Sequence, residues 1–375
     1  MKTTAKNYYF IGKVMGGHRT ENLIQLLLNK QQPLYYNSLK NRNRLPGFLF
    51  SLFSKLSSLI NIVLADVVIM PAMCNNFQFE FRIAVWLKKK IVTDFYVSFY
   101  DTHVLDKKPL PKGEIVNMDS SAASKLWHND RKIIKNADFT FFLNSTEAKY
   151  YLQLLDLNYS SEEHFILPIC TEEWQDCELN YYSNKNQRTF NICWWGTYIP
   201  LHGLEKIISA AQILKENYKL NFHFHLLGTN REKARPYLKL IQDLNLSNVV
   251  SIHNDKTFSN GKLEGFLLKN CDLVLGNFGD SEKAKNVIVN KIIDGIAMKA
   301  PVLTGESLAP KEFFSEDQIF YTRNVPEAMA LSIYNIAQYD ESAINERVSA
   351  AHLIFKEFFS IDAFNRKVES IFMNL

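Results

Sequence analysis

Short apolar runs alternate with longer amphipathic ones along most of the chain. Tyr8 to Ile11 reads as a strand, and Gly12, Gly16 and Gly17 punctuate the loop after it. Apolar positions at helical spacing then run from Glu21 to Leu28. Strand, glycine loop and helix together form the unit of a nucleotide-binding fold. Further strand-like runs lie at Val67–Met70, Ile91–Phe99 and Phe139–Leu143, the last preceded by a charged helix around Asp130 to Lys135. Strands alternating with helices predict a parallel sheet covered on both faces.

The stretch Thr171 to Arg188 (TEEWQDCELNYYSNKNQR) is polar and irregular, and the domain junction is placed there. Alternation restarts at Phe190–Trp195, followed by Gly196 and a helix from near Gly203 through Leu204, Ile207, Ile208, Ala211 and Leu214. Strands at Phe222–Leu227, Val249–Ile252, Leu273–Leu275 and Val302–Leu303 complete a second half of the same kind. The fold class is α/β, with an N-terminal Rossmann-like domain over residues 1–175 and a C-terminal one over 188–350. At 375 residues the chain has the length of two ordinary domains. Carboxyl ends of parallel strands and helix N-termini present unpaired N–H groups, so an anion such as a nucleoside diphosphate suits a crevice there.

Composition narrows the classes. With 47% hydrophobic and 22% charged residues the chain has a globular core, and its 27 Phe and 17 Tyr chiefly fill that core. A formal net charge of +4 is too small at this length to argue for nucleic acid as a partner. Five cysteines, Cys74, Cys170, Cys177, Cys193 and Cys271, form neither a disulfide framework nor a zinc knuckle, which points to a reducing cytosol. The start MKTTAKNYYF lacks the apolar core of a signal peptide. Lys40, Arg42 and Arg44 precede the apolar stretch Leu45–Leu64, whose one charge is Lys55. That stretch reads first as a buried helix with solvated ends. The alternative is a basic edge beside Phe48, Leu49, Phe50, Leu52 and Phe53 resting on an anionic membrane surface. Pro46, Gly47, Lys55 and Asp66 argue against a span.

Three segments point at the crevice of the second half: Gly196-Thr197-Tyr198-Ile199-Pro200-Leu201-His202-Gly203, Leu227-Gly228-Thr229, and the stretch from Leu275 to Gly305. In the last, Asn290, Lys291, Asp294, Pro301 and Val302 follow a polar loop. This pattern resembles bacterial glycosyltransferases of the large family 4 type. GTYIPLHGLEKIISAA is similar to the glycine loop and first helix of that family's donor domain, with His202-Gly203 where many members have Lys-Gly. Asp94 to Thr102 resembles a strand-end motif of related sugar transferases.

The resemblance implies a GT-B fold, two Rossmann-like domains with parallel sheets facing across a cleft, and residues 351–375 forming a C-terminal helix that packs back on the N-terminal domain. It implies transfer of a sugar from a nucleotide-sugar donor to a glycan or lipid-linked acceptor, with retention, in bacterial surface polysaccharide or lipopolysaccharide synthesis. The expected position is the cytoplasm, with the inner face of the plasma membrane as the alternative. Gly16, Gly17, Gly196, Thr197, His202, Gly228, Lys285, Asn286, Val287, Asn290, Lys291 and Asp294 fall at donor-binding positions. Asp294, at a helix start, would accept hydrogen bonds from ribose hydroxyls, and Lys283 or Lys285 would neutralise the departing phosphates. Asp101 and His103 are candidates for the acceptor-side base, although an Asp capping a turn also explains Asp101. Family members commonly carry Glu where this chain has Asn286, which leaves room for altered activity.

No D-x-D pair occurs, so neither a metal nor another cofactor is expected. His223 and His225 alternate on one strand face without a third ligand close in sequence, and read as structural. Two other readings stay open: within enzymes, a GT-B-fold epimerase or hydrolase, and, from a different class, a non-catalytic scaffold that binds nucleotide-sugar or glycan within a transferase complex.

Overall fold

The computed structural model describes residues 6–12, 18–36, 47–75, 78–108, 110, 113–174, 188–228 and 230–373. Gly16 and Gly17 lie outside the described residues, as do Cys177 and the basic cluster Lys40, Arg42 and Arg44. The chain divides into two compact units, Met1–Cys170 with Ile361–Leu375, and Thr171–Ser360.

The first unit runs β1 (Tyr8–Phe10), α1 (His18–Asn29), β2 (Leu34–Tyr36), α2 (Gly47–Leu64), β3 (Val67–Met70), α3 (Gln78–Trp86), β4 (Lys90–Asp94), α4 (Ser121–Asn136), β5 (Phe139–Phe142), α5 (Ser145–Leu154) and β6 (His164–Ile166). Its six strands pair in parallel in the order β2-β1-β3-β4-β5-β6. β1, β3 and β5 are buried along their whole length, as a parallel sheet covered on both faces requires. The two-residue period divides them between two cores. Tyr9, Val68, Met70 and Phe142 face one, while Tyr8, Phe10, Val67, Ile69, Phe139 and Phe141 face the other. The last helix of the chain, Ile361–Phe372, closes the second core with Phe364, Val368 and Ile371, and Phe372 stacks on Tyr8 with centroids 5.9 Å apart.

The run expected as a strand over Ile91–Phe99 ends as strand at Asp94. The following chain forms a turn of π-helix over Asp101–Leu105, closed by the Asp106 N–H on the Asp101 carbonyl at 2.8 Å. The cause lies on α4. The buried Asp130 carboxylate accepts from Ser98 Oγ (2.7 Å), the Tyr100 N–H (2.9 Å) and Asn75 Nδ2 (2.7 Å), which draws the chain out of the sheet. A local hydrophobic run cannot report a capture by a residue some thirty positions away.

The second unit runs β7 (Phe190–Trp195), α6 (Leu204–Asn217), β8 (Phe222–Leu227), α7 (Arg231–Asp243), β9 (Val250–His253), α8 (Lys262–Asn270), β10 (Leu273–Leu275), α9 (Glu282–Asn286), α10 (Asn290–Ala297), β11 (Val302–Gly305), α11 (Leu308–Lys311), β12 (Phe320–Thr322), α12 (Pro326–Gln338) and α13 (Glu341–Phe358); the chain's last helix is therefore α14. Its sheet is again parallel, in the order β12-β11-β10-β7-β8-β9. The first strand, β7, thus lies between β8 and β10, and the winding direction reverses at the β7–β10 step. In open α/β sheets this reversal leaves a crevice at the carboxyl ends of the two central strands.

Candidate functional site

Two segments leave the sheet at that reversal, Gly196–Gly203 after β7 and Gly276–Asp280 after β10. They hold one another by backbone approach. Gly203 has φ +61° and caps α6, and a Cβ there would sit 2.7 Å from the Phe278 carbonyl oxygen, so neither its conformation nor its surroundings admit a side chain. The Asn277 amide bonds the Ala284 carbonyl at 2.9 Å and its backbone N–H bonds Thr304 Oγ1 at 3.1 Å, which fixes the second segment to α9 and β11.

Against this frame the structure gathers His202, Lys291 and Asp294, all buried, beside Gly196. A Cβ placed on Gly196 would lie 3.6 Å from both His202 Nε2 and Lys291 Nζ. Lys291 Nζ stands 3.1 Å from His202 Nδ1 and 5.3 Å from the centre of the Trp194 ring. An ammonium only donates, so Nδ1 is the acceptor and the imidazole proton sits on Nε2. Burial and the Lys291 charge hold the imidazole well below its ordinary pKa, which keeps it a neutral N–H donor.

Asp294 lies one turn along α10 from Lys291. Its Oδ2 accepts from the Trp195 indole at 3.3 Å, and Thr171 also hydrogen-bonds it. Burial pushes this carboxyl up to about 7 against the pull of those bonds and of Lys291, and burial brings Lys291 down to about 7. Asp294 was expected at the start of a helix. It occupies the second turn, and the helix start is Asn290, exposed, with Val289 giving no side-chain cap. The first-turn N–H groups of α10 therefore add positive potential beside Lys291.

The other expected residues are placed as follows. Thr197 is exposed at the tip of the first segment, and Val287 is buried between α9 and α10. Lys283 is half-buried on α9, while Lys285 is exposed and pairs with Glu282 at 2.5 Å. Asn286 is buried, and its amide donates back to the Glu282 carbonyl at 2.8 Å, fastening the end of its own helix. Gly228 is required by packing: a Cβ would meet the Tyr198 ring at 2.4 Å, and that ring stacks on Trp194 and bonds Asn254 through its hydroxyl at 3.1 Å.

Asp101 and His103 belong to the first unit, on the π-turn. Asp101 Oδ1 accepts from the Tyr150 hydroxyl at 2.8 Å. His103 Nδ1 meets the Lys108 carbonyl at 2.8 Å, so Nδ1 carries the proton and Nε2 is the basic nitrogen. Sequence reasoning missed Asp130, Asn277 and Trp195, each of which acts on a partner far along the chain. It also missed His253, whose Nε2 lies 3.2 Å from His225 Nδ1 on the neighbouring strand. Among the described residues no group of three ligating side chains could hold a metal.

No protein-family model matches the sequence, and no curated protein matches it. Solved structures do match over nearly the whole chain. Anabaena Alr3699/HepE, solved in complex with UDP-glucose, superposes with a TM-score of 0.70 at 13% identity, covering 99% of this chain and 100% of that one. A glycosyltransferase from Rickettsia africae ESF-5 gives 0.67 at 15% identity, covering 99% and 98%. The chain has the GT-B fold. The apo form of the lipopolysaccharide outer core galactosyltransferase WaaB matches at 0.65 and 10% identity, covering 98% and 99%. At these identities the likeness is one of architecture, and this chain's chemistry rests on its own residues.

Proposed function

We propose that this GT-B chain is a glycosyltransferase, taking a sugar from a nucleotide-sugar donor and passing it to a glycan or lipid-linked acceptor in bacterial surface polysaccharide or lipopolysaccharide synthesis. The observation that carries the reading is the convergence, at the β7–β10 reversal, of a buried ammonium, a neutral imidazole donor, an uncapped helix start and a buried carboxylate. The first three answer a diphosphate and the fourth answers ribose hydroxyls. That HepE is solved with UDP-glucose supports uridine as the first base to try.

In this reading residues 188–350 hold the donor and residues 1–175 the acceptor. Lys291, His202 Nε2 and the amides of Asn290 and Lys291 take the phosphates, with Lys283 and Lys285 as further cations. Gly196, Thr197, Val287 and Gly228 let the backbone approach the ligand, and Asn286 lies on the sugar side. Breaking the anomeric carbon–oxygen bond puts positive charge on the sugar and negative charge on the diphosphate, so groups on the phosphate side lower the barrier without a covalent nucleophile. The acceptor oxygen forms the new bond with retention. On the acceptor side His103, through Nε2, takes the hydroxyl proton, and Asp101 positions the turn that carries it.

Donor turnover over a panel of nucleotide sugars tests the proposal. Turnover raised by added acceptor supports transfer; tight binding with no turnover supports a scaffold and overturns it.

A further inference from the structure

β8 is apolar on one face. Phe222, Phe224 and Leu226 enter the core of the second unit, while His223 and His225 alternate with them on the other face, both half-buried. On that face β7 adds Asn191, opposite His223, and β9 adds Ser251, opposite His225, and then His253. Phe266 of α8 packs on the rings of His225 and His253, its centroid 5.1 Å from each.

These side chains form one hydrogen-bonded row, and the order of its links fixes where each proton sits. Lys256 Nζ stands 3.2 Å from His253 Nδ1. An ammonium only donates, so Nδ1 accepts and the His253 proton is on Nε2. His253 Nε2 therefore donates to His225 Nδ1 at 3.2 Å, and the His225 proton, on Nε2, goes to Asn191 Oδ1 at 3.1 Å. The Asn191 amide donates to Asp272 Oδ2 at 3.3 Å, and Arg188 holds Asp272 Oδ1 at 3.1 Å. The row thus runs from the loop after β9, through β9, β8 and β7, to the residue before β10. Every link needs both imidazoles neutral. A second proton on His225 sets N–H against N–H at the His253 link, and one on His253 sets N–H against the Lys256 ammonium.

The charges around the rings weigh the same way. The His223 ring lies 4.6 Å from that of His225, and its Nε2 is engaged by Ser251 Oγ at 2.8 Å. Asp255, the acid beside His253 in the loop, is exposed and pairs with Lys256 at 3.3 Å. Asp272 reaches His225 only through Asn191, and α8 presents the uncharged Phe266, its Lys262, Glu264 and Lys269 being exposed. Burial, with the charges of His223, His253 and Lys256, holds His225 down to about 4; burial and Lys256 hold His253 below its ordinary value. The loop that the row anchors carries Asn254, whose Oδ1 accepts from the Tyr198 hydroxyl at 3.1 Å.

We infer that the row from Lys256 through His253, His225 and Asn191 to Asp272 is a pH-sensitive latch: whole while both imidazoles are neutral, it ties β9 and the loop after it to the sheet, and a proton taken up by either ring opens it. None of these residues is assigned to the nucleotide and the latch needs no ligand, so it stands or falls apart from the sugar-transfer reading.

The test is imidazole nitrogen NMR of the full chain across pH, beside thermal melts. At pH 7.5 His225 and His253 are expected as Nε2–H tautomers, both with midpoints below the ordinary 6.5. Amide protection of Asn254, Asp255 and Lys256 should fall at least about tenfold from pH 7 to pH 5 as the latch opens. The folded chain binds protons at these rings less readily than the unfolded one, so stability falls as pH drops below about 6.5. His225→Phe keeps a ring against Phe266 and removes the His225 share of that loss. From pH 7.5 to pH 5 the wild type should therefore lose about 2–4 °C of Tm relative to this variant, the effect being halved for the partial exposure of His225. Lys256→Gln, at the loop end of the row, should move the His253 midpoint upward. An Nδ1–H tautomer at either ring, midpoints at the ordinary value for both, or a Tm difference equal at the two pH values overturns the inference. Should His225→Phe fail to fold, the tautomers and the Lys256→Gln midpoint decide it.

Discussion

Asp294→Asn separates the cost of a buried carboxylate from its use. Asparagine keeps the size of the side chain and an oxygen for the Trp195 indole, and removes the charge. In the folded chain burial raises the Asp294 carboxyl from 3.8 to about 7. Between those values the folded state binds more protons than the unfolded one, so wild-type stability falls as pH rises through that window and is level above it. The variant lacks this slope. From pH 5 to pH 8 the carboxylate crosses about two units of the window, worth about 3 kcal/mol. For a domain of this size each kcal/mol moves Tm by about 2–4 °C. Relative to wild type, the variant should therefore gain about 5–10 °C more at pH 8 than at pH 5. Over the same comparison UDP affinity, measured by calorimetry at pH 8, should fall by ~10- to 100-fold, the worth of a charge-assisted hydrogen bond. The pair of results is specific, since a gain in stability with a loss of binding marks a group strained for a ligand. A variant whose Tm difference from wild type is the same at both pH values, or which binds UDP as wild type does, would refute the reasoning.

Further outcomes follow from the same geometry. Lys291→Met should weaken nucleoside diphosphate binding by ~10- to 100-fold, read by calorimetry. Gly228→Ala should destabilise the second unit by about 1–3 kcal/mol, because the new methyl displaces the Tyr198 ring, and a urea melt measures it. His103→Gln should lower acceptor-dependent turnover by ~10²- to 10⁴-fold with donor affinity unchanged, read by steady-state kinetics beside calorimetry. Asp130→Ala should leave Ser98 and the Tyr100 amide without their buried acceptor, costing about 1–3 kcal/mol in a thermal melt.

Much of the fold was legible because burial on both sheet faces leaves a direct mark. Val67–Met70 and Phe222–Leu227 are apolar-rich runs of strand length, and the structure makes each a strand with those bounds. The site was legible in part. Gly196, His202, Lys291 and Asp294 stand out as residue types, yet what makes them a cluster is pairing across 89 positions for Lys291 with His202 and 99 for Trp195 with Asp294. Spacing along the chain carries no record of such contacts; the strand order that brings β7 beside β10 does. Gly228 carries a requirement the sequence does not show, the Tyr198 ring that a Cβ there would meet.

The most direct measurement of the central claim is a crystal structure of the chain soaked with UDP and then with candidate UDP-sugars. The account predicts the diphosphate against Lys291, His202 Nε2 and the first turn of α10, with a ribose hydroxyl on Asp294. Density for the nucleotide away from these residues, or none at millimolar ligand, would contradict it.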